Sequence, residues 1–266
     1  NYTILASLGI LVILLGLVVM AWATRRLIRT MIGVVMPGES ENLSDLIFSN
    51  LQLSKGPKVV VIGGGTGLSV MLRGLKAKTY NLTAVVTVAD DGGSTGRIRQ
   101  DLDIIAPGDL RNCLVALADK EGLMEKLFAH RFGGSGNLTG HSFGNLFIAA
   151  LIEVLGDVEE AMDATSKVLR VRGKVIPSSA EKIRLNAEMT DGRIVEGESQ
   201  IPHAHGKIKR VFTTPEHPKA IQSAVRAIQE ADAIVLGPGS LYTSIMPNLC
   251  VPDIVQAVRT SKAPKI

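Results

Sequence analysis

The longest apolar stretch of the chain lies at its start. Twenty residues from Ile4 to Ala23 pass without a charged side chain. A helix of that length rises ~1.5 Å per residue and covers the ~30 Å hydrocarbon core of a bilayer. Arg25, Arg26 and Arg29 follow at once. Because basic residues stay on the cytoplasmic side of membranes, the pattern predicts a single-pass anchor of the cell membrane, with the remaining chain in the cytoplasm.

A secretory signal peptide is the competing interpretation, because Ala21-Trp22-Ala23 resembles a cleavage site. The order of charges favours the anchor, since no basic residue precedes the apolar run. The segment from Leu27 to Met36 either continues the helix or lies on the membrane surface. We therefore predict a transmembrane anchor with a juxtamembrane helix at residues 1–36, and a linker with one weak amphipathic helix at residues 37–57.

The pattern after the linker is that of an α/β fold. Lys58 to Ile62 and Leu82 to Ala89 are runs of mostly β-branched residues, as in strands buried on both faces of a parallel sheet. Leu68 to Leu75, between them, has helical spacing, so strand, helix and strand form a βαβ unit. Further helices are predicted at residues 109–120, 142–155, 158–169, 218–230 and 253–260, and a strand at 233–236.

Short alternating stretches replace this pattern between Lys174 and Phe212. Asp191-Gly192 separates Leu185–Met189 from Ile194–Glu198, and such a dipeptide between alternating runs favours a hairpin. We therefore predict a small antiparallel insert at about residues 174–212.

The predicted fold class is α/β and Rossmann-like over residues 58–266, with a mostly parallel sheet, flanking helices and the antiparallel insert, plus one N-terminal transmembrane helix. Lys265-Ile266 reads as the start of a further strand, so we expect the domain to be truncated at its C-terminus.

Composition narrows the possible class of protein. The 266 residues are 46% hydrophobic and 20% charged, which is enough apolar material for one large α/β domain. The net charge of +4 owes much to the arginines after the apolar segment, so it indicates a membrane surface rather than nucleic acid. Cys113 and Cys250 lie far apart and form no zinc-binding pattern.

A glycine loop joins the first predicted strand to the first helix of this domain. Such a loop lets backbone N–H groups approach a phosphate, and the helix N-terminus adds partial positive charge. A tight structural turn is the plain alternative. The loop departs from the dinucleotide pattern at Leu68, where a third glycine would stand, and it lacks the lysine of a Walker A loop. The candidate phosphate ligands are Gly63, Gly64, Gly65, Thr66 and Gly67.

Two carboxylates end the second predicted strand. Asp90 and Asp91 would lie at the carboxyl edge of the sheet, where a carboxylate can bind a ribose or a metal ion. Asp90 could instead cap the turn. The loop that follows offers small residues, hydroxyls and a cation for phosphate contacts, although its arginine could be an ordinary solvated charge. These candidates are Gly93, Ser94, Thr95 and Arg97.

Two more polar segments open helices. Asp109 is a reasonable N-cap of its helix. A histidine at a helix start has a lowered pKa and can donate to an oxyanion while neutral, although a plain turn histidine is the alternative. The candidate ligand contacts in these segments are Asp109, Arg111, Asn112, His141, Ser142 and Asn145.

A second glycine turn follows the predicted strand at residues 233–236. Two such turns at carboxyl strand ends favour one ligand that crosses between them. The sequence shows no GxSxG elbow and no cysteine nucleophile, so it argues for binding more firmly than for turnover, and no catalytic residue is assigned. The candidate contacts here are Gly237, Gly239, Ser240, Tyr242 and Thr243.

The chain resembles the YvcK family of gluconeogenesis factors, within the superfamily of CofD-like 2-phospho-L-lactate transferases. The resemblance spans residues 58–266 and rests on seven ordered segments: VVVIGGGTGLSVMLRGLK, VTVADDGGSTGRIR, PGDLRNCLVALAD, GHSFGNL, VLRVRGKVIPSS, IPHAHGKIKRVF and ADAIVLGPGSLYTSIMPNL.

This resemblance implies a Rossmann-like fold that binds a UDP-sugar such as UDP-N-acetylglucosamine, or another nucleotide diphosphate. It also implies a regulator of cell-wall synthesis and cell shape during gluconeogenic growth, with cell-wall synthesis proteins as partners. The alternative is a CofD-like phospholactyl transferase that uses Mg²⁺, with Asp90 and Asp91 as candidate metal ligands. An NAD(P)-binding enzyme is the weaker alternative, and a homo-oligomer remains open.

Overall fold

The computed structural model describes residues 2–35, 50–119 and 122–266. Most of the predicted linker falls in residues 36–49 and so lies outside the described residues, and its described part is helical at residues 50–54. The chain divides into two compact units, residues 1–52 and 53–266, which are described separately.

The N-terminal unit is built on one long helix, α1 (Tyr2–Val35, 34 residues). The helix runs on past the arginines, which agrees with the first of the two alternatives for the juxtamembrane segment. Its stretch Ser7–Ile28 has a mean hydropathy of 2.4 and exposed side chains. This stretch is long and apolar enough to cross a membrane, and a signal sequence would satisfy the same criteria.

The second unit is organised by a four-stranded parallel sheet in the order β3-β2-β1-β7. Apart from Thr83, its central strands β1 and β2 are apolar, and they are mostly buried, because helices cover both faces of a parallel sheet. The predicted α/β fold is confirmed. The strands are β1 (Val59–Gly63), β2 (Leu82–Val86), β3 (Lys174–Pro177) and β7 (Ala233–Leu236).

The helices around this sheet close one hydrophobic core. Leu68, Leu72, Leu110 and Leu114 are fully buried in it. The helices are α2 (Gly65–Leu75), α3 (Gly93–Asp101), α4 (Gly108–Leu117), α5 (Gly122–Ala129), α6 (Phe143–Leu155), α7 (Val158–Val168), α8 (Gln222–Gln229), α9 (Met246–Leu249) and α10 (Pro252–Thr260).

The predicted antiparallel insert is confirmed as a three-stranded sheet, β4 (Arg184–Met189), β5 (Ile194–Glu196) and β6 (Ile208–Thr214), in the order β5-β4-β6. The Asp-Gly signal forms its first turn, where Gly192 has φ 87° and its N–H donates to the carbonyl of Met189 at 3.0 Å.

The predicted start of the insert is wrong, because residues 174–177 form β3 of the parallel sheet. Val175, Ile176 and Pro177 are all buried, so this strand carries a continuous apolar run rather than an alternating one. The insert therefore begins after β3.

Several elements differ from expectation. Helix α3 occupies most of the expected phosphate loop after β2, with Ile98 buried beneath it. Helix α5 and a 3₁₀ segment at Glu198–His203 were not predicted. At the other end, Ile266 exchanges backbone hydrogen bonds of 2.9 Å with β7, so the predicted start of a further strand is confirmed.

Candidate functional site

The two glycine turns meet at the carboxyl edge of the sheet, because β1 and β7 are neighbours. A Cβ atom on Gly67 would lie 3.1 Å from the carbonyl oxygen of Pro238, and one on Gly239 would lie 3.4 Å from that of Gly64. The structure therefore brings the two predicted turns together. Because they pack directly on each other, a ligand would have to lie across their rim rather than between them.

A buried amide side chain ties the two turns to each other. Asn248 is completely buried, and its Nδ2 donates to the carbonyls of Gly63 at 3.1 Å and Ser244 at 2.9 Å. Asn248 was not among the predicted residues, since an asparagine inside an apolar segment has no local signature of such a role.

The predicted N-cap role of Asp109 is wrong. Pro107 occupies the N-cap position of α4, and the carboxylate of Asp109 instead accepts a backbone hydrogen bond from Gly65, at the start of α2. Burial raises the pKa of Asp109 to about 6, with a further rise from the charge of Asp90, against the effects of this hydrogen bond and Arg111. The protein thus places its own carboxylate on an amide predicted to bind phosphate.

A third carboxylate reaches this place from the insert. Burial raises the pKa of Glu198 to about 7, and the nearby charges of Asp90, Asp91 and Asp109 raise it further, against a hydrogen bond from Thr243. Sequence reasoning missed Glu198, because nothing in its local pattern shows that the insert folds back to the sheet edge.

The two aspartates after β2 have separate partners. Asp91 accepts a hydrogen bond from the N–H of Ser199 at 2.8 Å, which fastens the insert to the sheet edge. Asp90 accepts one from the N–H of Gly92 at 2.9 Å, as in the turn-capping alternative. Since Asp90 also interacts with Asp109 and Glu198, these three carboxylates form the acidic cluster of the site.

Magnesium typically takes one or two protein carboxylates together with phosphate oxygens. The described residues hold no group of three or more histidine, cysteine, aspartate or glutamate side chains arranged to bind a metal unaided. The acidic cluster nevertheless fits a cation shared with a ligand, because the charge of Asp90 raises the pKa of both Asp109 and Glu198 and a cation would relieve that repulsion.

Four predicted residues meet where α3 and α6 begin. The hydroxyl of Ser94 accepts hydrogen bonds of 3.3 Å from the N–H of Ser142 and from Nδ2 of Asn145, and lies 3.3 Å from Nδ1 of His141. Burial, and then the charge of Arg97, lower the pKa of His141. The neutral imidazole that the sequence predicted at this helix start is therefore favoured.

Arg111 is the most unusual group of the site. It is 9% exposed, and its Nη2 donates to Oδ1 of Asn112 at 2.6 Å, while Nη1 has no partner among the described residues. Its side chain packs against Gly144, where a Cβ atom would lie 2.8 Å from Cδ of the arginine. A buried guanidinium with an unused donor is costly, so this group indicates an anionic ligand.

The remaining candidates divide by exposure. Thr95 is buried beside Gly108, and Thr243 is buried and forms a side-chain hydrogen bond with Glu198. Ser240 and Tyr242 are exposed in the turn after β7, and the carbonyl of Thr66 accepts a hydrogen bond from Ser69.

A cavity of about 760 Å³ adjoins the acidic cluster, between α3 and the insert. That size suits a small-molecule ligand. Arg99 forms its floor by donating to the backbone carbonyls of Asp90 and Ile183. The cavity is lined by the predicted residues Asp91, Gly93 and Arg97 and by the unpredicted residues Arg99, Gln100, Lys182 and Arg184.

A cavity of about 650 Å³ lies at the amino ends of the strands, lined by Lys58, Lys174 and Arg226 among others, away from the predicted residues. Ligands of open α/β sheets bind outside the carboxyl ends of the strands. We therefore place the candidate site at the carboxyl edge.

The fold is that of a Rossmann-like α/β protein, with the candidate site at the carboxyl edge of its sheet. The family model described as 2-phospho-L-lactate transferase CofD matches residues 59–266. The chain belongs to the CofD family. The predicted resemblance to the YvcK group of gluconeogenesis factors is confirmed by the relatives below.

The gluconeogenesis factor of Halalkalibacterium halodurans is 56% identical over 212 residues, covering 80% of this chain and 66% of that protein. That of Bacillus subtilis is 54% identical over 214 residues, covering 80% and 68%. A relative from Nostoc sp. is 54% identical over 258 residues, covering 97% and 57%.

A crystal structure of a protein from Bacillus halodurans matches with a TM-score of 0.77 and 56% identity, covering 79% of this chain and 68% of that one. The chain thus spans between 57% and 68% of the length of these relatives.

Proposed function

We propose that this protein binds a nucleotide diphosphate ligand, such as a UDP-sugar, at the carboxyl edge of its parallel sheet, and acts as a regulator rather than as a catalyst. The observation that carries the proposal is the buried guanidinium of Arg111, whose Nη1 has no partner among the described residues. A diphosphate would supply the acceptor, and charge-assisted hydrogen bonds of this kind are among the strongest in proteins.

The surroundings of Arg111 suit the same ligand. Asn145 directly follows its packing partner Gly144 in the chain, and Arg97 is close enough to lower the pKa of His141. Arg97 also lines the cavity between α3 and the insert, which has room for a sugar or a base and is rich in polar side chains.

Mg²⁺ would be held by one or two carboxylates of the acidic cluster together with phosphate oxygens of the ligand. When bound, it would neutralise part of the diphosphate charge. The protein's own contribution is to keep these carboxyl groups buried and close together, so that a cation is attracted to them only when the phosphate also arrives.

The regulatory role is supported by the names of the relatives, which are gluconeogenesis factors. We extend this to control of cell-wall synthesis and cell shape, with cell-wall synthesis proteins as partners. A phospholactyl transferase is the second candidate. It is favoured by the match of the family model to residues 59–266 and by the acidic cluster.

We also propose that α1 anchors the protein in the cell membrane with the second unit in the cytoplasm. Three observations support this proposal. The stretch Ser7–Ile28 is long and apolar enough to span a bilayer. The arginines follow it rather than precede it. The similarity to the Nostoc relative covers 97% of the chain and therefore extends into this segment.

Two assays on the same preparation separate the functions. Calorimetric titration with UDP-N-acetylglucosamine, with and without Mg²⁺, is expected to show saturable binding. Incubation with a deazaflavin acceptor, activated phospholactate and Mg²⁺ is expected to give no product. Product formation would establish the transferase instead, and a folded protein that neither binds nor reacts would contradict both functions.

A further inference from the structure

The end of α1 carries a basic face that the proposed ligand site does not use. Trp22, Arg25, Arg26 and Arg29 follow one another at spacings of three, four and seven residues from the tryptophan. In a helix such positions share one side, within an arc of ~100°. Since α1 is continuous from Tyr2 to Val35, these four positions do lie on one face, the basic face of α1.

The side chains described there are open to the surroundings. Trp22, Arg25 and Arg26 are exposed. The guanidinium carbon of Arg26 lies 5.2 Å from the centroid of the Trp22 ring, a cation–π contact. This contact holds one arginine beside the tryptophan without consuming its hydrogen-bond donors.

The charge of this face is uncompensated by its own segment. Residues 1–38 contain three arginines and no acidic residue, and the first carboxylate in the sequence is Glu39. An anionic partner from outside the segment is therefore needed to balance it.

The length of α1 places this face at a definite depth. Its 34 residues extend ~51 Å, whereas the hydrocarbon core needs only ~30 Å. If the uncharged stretch up to Ala23 fills the core, Trp22 lies at the boundary, where tryptophan is enriched, and the arginines reach the phosphate level of the cytoplasmic leaflet.

We propose that the basic face of α1 binds anionic phospholipid headgroups of the cytoplasmic leaflet. This rests on the membrane attachment proposed above. The planar guanidinium groups pair with lipid phosphates through two parallel hydrogen bonds, and the Trp22 ring packs at the acyl boundary beside them. The face would thereby fix the depth and rotation of the helix in the membrane.

Trp22 allows a direct test, because it is the only tryptophan of the chain. The full chain is reconstituted in vesicles of phosphatidylcholine and phosphatidylglycerol in which only one lipid at a time carries brominated acyl chains, which quench tryptophan on contact. The ratio of the two quenching efficiencies reports which lipid lies against the basic face. We expect phosphatidylglycerol to be preferred about fivefold, the ratio given by ~1 kcal/mol of headgroup attraction.

Two variants of equal charge give the comparison. The triple variant Arg25→Gln, Arg26→Gln, Arg29→Gln should lose the preference, while quenching by both lipids persists. The control Lys167→Gln, Arg226→Gln, Arg259→Gln removes three exposed cations of the second unit and should keep the fivefold ratio.

The outcomes separate this proposal from membrane attachment itself. Equal quenching of the wild type by both lipids would overturn the headgroup preference and leave the anchor standing. Absence of quenching by either lipid would overturn the anchor and the preference with it. A preference that survives in the triple variant would show that other residues attract the anionic lipid.

Discussion

The sheet edge and the antiparallel insert contribute to the candidate site in different ways. The edge supplies the glycine turns, Asp90, Asp109 and Arg111, all from segments that follow strands or open helices. The insert supplies Glu198, which comes from more than a hundred positions further along the chain than Asp90. The edge is thus set by local rules of α/β folds, whereas the insert acts through one tertiary contact.

This difference has an energetic consequence. Asp91 fastens the insert through the N–H of Ser199, and the cost of bringing Glu198 to the other carboxylates is met by that docking. The edge can keep its structure without the insert's carboxylate, but the acidic cluster cannot form without it. Stability should therefore depend mainly on the edge, and cation dependence mainly on the insert.

The largest expected effect concerns pH. Asp109 titrates at a pKa of about 6 and Glu198 at about 7, both above the ordinary value. At these two groups the folded state binds more protons than the unfolded state, so the stability that they contribute is fully present near pH 4 and is lost as the pH rises through 6 and 7. For Asp109 a shift of roughly two units corresponds to ~3 kcal/mol, and water screening makes the share of Glu198 smaller.

Urea unfolding of the ligand-free protein at several pH values measures this slope. Glu198→Gln should make the free energy of unfolding fall less steeply between about pH 5 and 7. That difference would assign this part of the pH dependence to the insert. The same pH dependence of stability in the wild type and in Glu198→Gln would contradict the acidic cluster.

The next effect sharpens the role of the edge. Arg111→Gln removes the guanidinium but keeps a polar side chain, and should weaken binding of UDP-N-acetylglucosamine by ~2–3 kcal/mol, on the order of a hundredfold. Stability should stay the same or rise, since an unused buried donor is removed. Calorimetry against Arg259→Gln, an exposed arginine of α10, provides the control; equal affinities would remove Arg111 from the ligand site.

The insert is expected to determine how much Mg²⁺ strengthens ligand binding. Glu198→Gln should lower the affinity gain that Mg²⁺ gives to ligand binding by ~1 kcal/mol, about fivefold, because one carboxylate of the cluster is lost. Binding without Mg²⁺ should change little. A variant that loses both equally would show that Glu198 contacts the ligand itself.

The smallest effect tests the packing of the two turns. Gly67→Ala places a Cβ atom 3.1 Å from the carbonyl of Pro238 and should destabilise the fold by about 1 kcal/mol. Gly74, on the same helix, has no neighbour within 4 Å, so Gly74→Ala should stabilise by ~0.5–1 kcal/mol through helix propensity. The measurement is the melting temperature of each variant. Shifts of the two melting temperatures in the same direction would contradict this packing.

Much of the fold could be predicted because its signals are local. The strand at residues 233–236 and the Asp-Gly hairpin match their predictions, since apolar runs and turn residues act within a few positions. The boundary at Lys174 was harder to predict. The sheet that a short strand such as β3 joins depends on its pairing partners, here residues 83–86 of β2, which are distant in sequence.

The site shows the same limit. Gly63 to Gly67 and Asp90 could be predicted because they follow strands at the carboxyl edge. Asp109 was predicted to be an N-cap because the local sequence shows only its own helix as a possible partner. Its true partner, Gly65, lies 44 positions earlier in the chain. Glu198 and Asn248 likewise gain their roles from contacts across the fold.

A crystal structure with bound UDP-N-acetylglucosamine and Mg²⁺ would examine the central claim most directly. The account predicts a phosphate oxygen within ~3 Å of Nη1 of Arg111, which is hydrogen-bond distance, and the cation beside Asp90 and Asp109. A ligand bound at the amino ends of the strands, with Nη1 still unpaired, would contradict it.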